Sequence, residues 1–300
     1  HESAEKLYKG LLKLEPDNRA TAKALDKVRL TLGQHEELVE SLLERSEKAS
    51  NASERAEHMF AIGEVYANDL DDKEQALVAY AQAFCADPTV DTYAEAIERQ
   101  AGTRYQAWEE VFGLCLEAAN EEQSTEALHD LYSHMARWYA DKVSRPDLAL
   151  PWLHKVLEIE PSHERSLEML STIYRKAQQW PELSQILLKR ADVAAPNVAR
   201  DLRAEAAEIV SGKLGSAQAA LELYEAVVAE DPGHERAVKG MAEMLRQAGD
   251  NRRALSVQAG RAAALGGEER HALLCEIAEG YEVEADDLDA AEKSYKLVLR

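Results

Sequence analysis

Apolar residues recur along this chain at i, i+4 and i+7, the spacing that lines one face of a helix. In the segment Ala219 to Pro232 they are Ala220, Tyr224 and Val227, and that helix must stop close to Pro232, because proline disfavours helical geometry in the residue before it. The same phrase appears as Ala4, Tyr8, Leu11 and Pro16, as Ala76, Tyr80, Ala83 and Pro88, and as Ala149, Leu153, Val156 and Pro161. A last copy carries Ala291, Tyr295 and Val298. Successive alanines stand 72, 73, 71 and 71 residues apart, and four of the eight prolines follow one of them by twelve residues. Self-similarity at a fixed period predicts a repeat architecture, here an all-α one.

Each period divides into two helical hairpins. One opens after the proline with a polar turn (Asp17-Asn18, Ser162-His163, Gly233-His234) and an apolar-periodic segment: Ala20 to Leu32, Arg165 to Ala177 and Arg236 to Ala248. Asn18 is a good helix cap. Turns at Gly33-Gln34, Gln178-Gln179 and Gly249-Asp250 lead to second helices carrying Leu38 and Leu42, Leu183 and Leu187, or Ala254 and Val257. The other hairpin opens on Ile62-Gly63-Glu64-Val65-Tyr66, Met135 to Tyr139, Ala206 to Val210 or Ile277 to Tyr281. In each, a small residue after the first position lets a neighbouring helix come close. The recurrent alanine follows ten residues after the last.

These residues resemble the tetratricopeptide repeat, whose pattern runs large-Leu-Gly-x-x-Tyr, a turn, then Gly-x-Tyr-x-x-Ala, an aromatic and a proline. Ile62-Gly63-x-x-Tyr66 with Ala76, Tyr80, Ala83 and Pro88 matches best, and the resemblance covers essentially the whole chain. It implies an α-solenoid: a right-handed superhelix of about eight hairpins and seventeen helices, forming a single domain over 1–300. The Ala-, Glu- and Arg-rich units look similar to long bacterial arrays. Two departures stand out. Four hairpins have one extra residue in the turn, near Asp71, Ser144, Gly215 and Asp286, and Thr89 to Gly102 is about three residues short, predicting a shortened helix and a local change of pitch. The final segment Leu297 to Arg300 has no polar capping helix after it, so a fragment of a longer array is expected.

Charge narrows the range of partners. Fifty-six acidic residues against 35 basic give a formal charge of −21, and no dense basic run offsets it. Nucleic acid and anionic membrane, which require basic surfaces, are poor partners. The longest uncharged stretch, Ala76 to Ala86, is far below the roughly twenty residues of a spanning helix. Cys85, Cys115 and Cys275 are too scattered for a disulfide framework or a Cys-x-x-Cys metal site, and are expected as reduced core thiols. The expected location is the cytoplasm.

Candidate chemistry is sparse. His163 and His234 fall at equivalent turn positions and are expected to serve as caps; His129 and His134, five apart, do not share the i, i+4 face that zinc motifs use. No phosphate loop, nucleophile elbow or His-Glu-x-x-His appears. Trp108, Trp138, Trp152 and Trp180 are expected in core or groove-edge packing rather than in a ligand site, and the pairs Asp71-Asp72, Glu121-Glu122 and Asp286-Asp287 in solvated turns or at helix starts. No catalytic residue, cofactor or metal is expected, and the chain is read as a non-enzyme.

In the family it resembles, first helices line a concave groove that takes peptides or partner helices. The matching positions carry Lys23 and Lys27, then Arg165 and Arg175, then Arg236, Lys239 and Arg246. Between them lie acidic stripes: Glu57 and Glu64, Asp130, Asp201 and Glu208, Glu279 and Glu282. Two readings follow. The stripes pair with one another across repeats, or the basic ones receive acidic groups of a partner. The lysine and asparagine clamp for chaperone C-termini is incomplete here, since Lys27 follows Lys23 and Glu243 follows Lys239. The expected function is a monomeric interaction scaffold for another protein, the alternative being a structural spacer or an element that assembles through its ends.

Overall fold

The computed structural model describes residues 1–16, 18–121 and 123–299; Asp17, Glu122 and Arg300, named above in a turn, a carboxylate pair and the final segment, lie outside them. Among the described residues there are seventeen helices and no strand, an all-α solenoid architecture. They fall into two compact units, residues 1–160 and 161–300. The first holds α1 (Glu2–Leu14), α2 (Arg19–Leu32), α3 (His35–Glu47), α4 (Ala52–Asn68), α5 (Lys73–Ala86), α6 (Asp91–Ala101), α7 (Tyr105–Ala118), α8 (Thr125–Asp141) and α9 (Pro146–Ile159). The second holds α10 (Glu164–Ala177), α11 (Trp180–Val193), α12 (Pro196–Gly212), α13 (Ala217–Glu230), α14 (Glu235–Gln247), α15 (Asn251–Ala264), α16 (Gly267–Val283) and α17 (Leu288–Val298). Helices packed most closely are consecutive in sequence, as stacked hairpins require.

The recurrent alanines are where the periodicity puts them. Ala76, Ala149 and Ala220 are fully buried and Ala291 nearly so, each on the helix that closes a hairpin opened by a 17-residue helix. In the first unit a Cβ placed on Gly63 would stand 2.5 Å from the ring of Tyr80, so the bare backbone of α4 is what admits that ring. The phenol then donates a 2.6 Å hydrogen bond to Glu64, one residue on, and burial with this carboxylate pushes the Tyr80 hydroxyl well above the usual phenol range. One glycine therefore places both the ring and its polar end.

Turn chemistry follows the same repeat. Asp71, Ser144, Gly215 and Asp286 all take left-handed backbone, with φ of 51°, 56°, 68° and 49°. In each turn the next residue's N–H donates to the carbonyl six residues back: Asp72 to Tyr66, Arg145 to Tyr139, Ser216 to Val210 and Asp287 to Tyr281. The extra residue is thus what the chain uses to reverse direction after the longer helix while still satisfying its last carbonyls. At helix starts, Asn18 accepts from the Thr21 amide at 3.0 Å and His234 from the Ala237 amide at 3.2 Å, while His163 Nδ1 lies 2.8 Å from the Ser166 hydroxyl. His234 therefore caps its helix as its position in the repeat predicts, whereas His163 holds the N-cap position without a side-chain hydrogen bond to the helix amides, its ring meeting the Ser166 hydroxyl instead.

Helix α6 is the irregular member. At 11 residues it is three shorter than α2 and α10, which occupy the same place in the repeat. Glu98 ties it down: Arg137 and Trp138 of α8 donate to one carboxylate oxygen at 2.7 and 2.8 Å, and Lys142 reaches the other at 2.7 Å. Burial opposes ionisation of Glu98, but hydrogen bonds from Lys142 and Trp138 and the Arg137 and Lys142 charges outweigh it and hold the carboxyl below its ordinary range. Trp108 and Trp138 are both fully buried, with ring centroids 5.4 Å apart, and the Trp108 indole donates to the Gly102 carbonyl at 2.9 Å. These tryptophans are core. His134 packs edge-on to Phe84, and burial lowers its affinity for a proton.

Candidate functional site

Of the seven basic residues singled out by the repeat register, four are held by carboxylates. Arg175 on α10 meets Glu205 on α12 at 2.5 Å. Arg236 on α14 grips Glu208 on α12 with two hydrogen bonds, Nε to one oxygen at 2.7 Å and a terminal nitrogen to the other at 2.5 Å. Arg246 reaches Glu284 at 3.1 Å and the Gln258 amide oxygen at 2.9 Å. Among the described residues Lys239 pairs only with Glu235, one turn back on its own helix, at 2.6 Å. Lys23, Lys27 and Arg165 are exposed and make no ion pair among the described residues. Arg19 with Glu54, Arg99 with Glu64 and His234 with Asp201 extend the pattern. Much of the alternation of basic and acidic stripes is therefore used inside each unit, joining one first helix to the next.

A groove of about 450 Å³ stays open in the second unit, between α12 and α14 over the start of α13. Its floor is Tyr224. A Cβ on Gly240 would lie 2.4 Å from that phenol, so α14 comes close enough to form a wall only because residue 240 lacks a side chain. Ser211 and Glu208 stand on one side, Lys239, Met244 and Gln247 on the other. Burial raises the Tyr224 hydroxyl to about 12, the nearby Glu208 carboxylate acts in the same direction, and Arg236 and the Ser211 hydroxyl oppose them. The Glu208 hydrogen bonds in turn hold Arg236 above its ordinary value. At neutral pH the floor is a neutral phenol beside a fixed ion pair.

The register brings Arg236 and Lys239 together in this groove and places Arg165, Arg175 and Arg246 outside its lining, with Lys23 and Lys27 in the other unit. Tyr224 belongs to the core by periodicity, so its second role as a floor is hidden until Gly240 is set against it. Chemically the groove offers hydroxyls, a carboxamide, a thioether, one loosely held ammonium, the paired Arg236 and Glu208, and the Glu243 carboxylate. This set suits hydrogen bonding to a peptide and lacks an obvious nucleophile and base in contact.

The first unit has a groove of about 470 Å³ between α5 and α7, lined by Glu74, Leu77, Arg104 and Tyr105 among others, and a smaller cleft of about 270 Å³ on α7, where aromatic side chains bridge to α8. The cleft is apolar and aromatic, with Trp108, Phe112, Leu116, Tyr139 and Leu148 in its walls and the Phe112 and Tyr139 rings stacked 3.7 Å apart. The gap follows from the short α6, which leaves α7 without its regular neighbour.

No family model matches the chain, and no curated protein matches it. Among solved structures, one from the functional characterization of Pseudomonas aeruginosa PilF is 17% identical over 81% of this chain and 90% of that one, with a TM-score of 0.34. A tetratricopeptide repeat protein from Parabacteroides merdae is 16% identical over 81% of this chain and 91% of its own, with a TM-score of 0.31. No helix among the described residues is long and apolar enough to cross a membrane.

Proposed function

We propose that this chain is a non-catalytic interaction scaffold of the cytoplasm, one array over 1–300, whose α12–α14 groove takes an extended peptide or a helix of another protein through an acidic group and an adjacent apolar side chain. The observation that carries this reading is Lys239. Its ion-pair partner is an exposed carboxylate on the same helix, a solvated pair of the kind that contributes little, so an incoming carboxylate can replace it readily. Met244 on the same helix supplies an adaptable apolar contact, and Tyr224, Ser211 and Gln247 supply hydrogen bonds. By contrast, the doubly bonded Arg236 to Glu208 pair serves the helix stack and leaves recognition to its neighbours.

Selection of random peptides on the purified chain tests the idea. Bound peptides should be enriched in Asp or Glu beside Leu, Ile or Phe. Lys239→Glu should weaken them at least about tenfold, the scale expected when a repulsion takes the place of one charge-assisted hydrogen bond. Lys189→Glu, on an exposed part of α11, serves as the control and should leave affinity unchanged. Peptides that bind Lys239→Glu as well as the parent chain would remove the groove from the account, and failure to select any would favour the spacer.

A further inference from the structure

The first unit holds a pair of thiols that the interaction reading does not use. Cys85 lies near the end of α5 and Cys115 near the end of α7, and their sulfurs are 3.8 Å apart, with the Cys85 thiol directed at the Cys115 sulfur. The pair bridges the two helices that pack together across the short α6. Cys115 is fully buried and Cys85 is half-buried, so Cys85 is the member of the pair nearer to solvent.

We propose that Cys85 and Cys115 form a reversible disulfide by exchange with a small disulfide of the glutathione type, clamping α7 onto α5. Bond formation requires the two sulfurs to close to about 2.05 Å, an approach of roughly 1.8 Å that χ1 adjustment and a small helix shift supply. Cys85, being nearer to solvent, attacks first: its thiolate forms a bond to one sulfur of the reagent and the other leaves as a thiolate, which takes up the proton Cys85 gave up. Cys115 then attacks Cys85 Sγ, a protein disulfide forms, and the second reagent thiol departs with the Cys115 proton. Two thiols are oxidised and one disulfide reagent is reduced to two thiols, so atoms and electrons balance. The contact with Cys85 and deep burial both push the Cys115 thiol well above its ordinary range, so the second step is slow at neutral pH and faster in mild alkali.

The clamp acts next to the aromatic cleft. Cys115 sits between Phe112 and Leu116 on α7, both of which line that cleft, so the disulfide would fix the wall formed by α7 on the side of α5. Cys275 lies in the second unit and provides an internal control.

The test uses the full chain, incubated at pH 8 with oxidised glutathione at millimolar concentration, quenched by alkylation and digested. The expected result is a single peptide pair linking Cys85 to Cys115 in monomeric protein, Cys275 in no protein disulfide and carrying either the alkyl group or one glutathione, and an unfolding temperature raised by several degrees and restored by dithiothreitol. Cys85→Ser and Cys115→Ala should each abolish both the link and the temperature shift. Because Cys115→Ala empties space in the core, the exposed-side variant Cys85→Ser carries the comparison if the other unfolds. Three results would each overturn the proposal: alkylation of both thiols in the treated native protein, mixed glutathione adducts that never resolve into the link, or a link that appears only in denaturant.

Discussion

At the scale of single residues, the tightest constraint in the first unit is Gly63. An alanine there gains about 1 kcal/mol of helix propensity but must fit a Cβ where the Tyr80 ring stands 2.5 Å away. That ring cannot withdraw. It is fully buried, packs against Phe60 with centroids 5.4 Å apart, and is fastened to Glu64 through its hydroxyl. Overpacking of this kind costs about 3 kcal/mol, so Gly63→Ala should lose about 2 kcal/mol net, measured as a lower urea midpoint with unchanged slope. Sequence periodicity points to this glycine, because a small residue recurs one place after the first position in every unit. It cannot point to Gly240, whose role depends on Tyr224 of the preceding hairpin lying against it, a contact between elements and not within one.

At the scale of elements, the turns that follow the 17-residue helices repeat one geometry with different residues at its left-handed position. Glycine meets no steric penalty there, aspartate meets some, and serine more. Ser144→Gly should therefore raise stability by about 1 kcal/mol and Asp286→Gly by somewhat less, while Gly215→Ala should lower it by about 1 kcal/mol, all read from thermal unfolding. Among the described residues no side-chain hydrogen bond of Ser144 or Asp286 is seen that would offset the gain. The extra turn residue is visible in the chain because it lengthens the hairpin against the family pattern. The shortened α6 is equally visible as a deficit of three residues. What a residue count cannot show is the consequence: α7 settles on α5, draws Cys115 to Cys85, and leaves an aromatic cleft beside α8. Those outcomes depend on how neighbouring helices fill a vacancy.

For the molecule as a whole, charge sets two opposing effects. Ion pairs such as Arg236 with Glu208 and Arg175 with Glu205 join neighbouring first helices, but their side chains remain partly exposed to water and each is worth about 1 kcal/mol or less. Against them stands the mutual repulsion of an excess of 21 negative charges. Salt screens both, and the excess is the larger sum, so the unfolding midpoint should rise by a few degrees between about 20 mM and 300 mM NaCl. A midpoint that falls instead would mean that the pairs between helices dominate. The alternating stripes are legible in the sequence, yet whether they face a neighbour or an incoming partner is not, because that depends on reach across about 4 Å between helices with no sequence proximity. The structure places Arg175, Arg236 and Arg246 on neighbours, leaves Lys23, Lys27 and Arg165 without an ion pair among the described residues, and leaves Lys239 as the groove ammonium that is least engaged.

The left-handed turns at Gly215 and Asp286 have the same hydrogen-bond closure and stand 71 residues apart, with Ala291, Tyr295 and Val298 in α17 matching Ala220, Tyr224 and Val227 in α13. They are interchangeable joints. A gene in which the codon for Gly215 is followed directly by that for Asp287 would delete one whole module without altering any helix, and the reverse operation would add one. Length in such a chain can change by recombination in steps of a single unit, so the number of units is free to vary while the surface of each is kept.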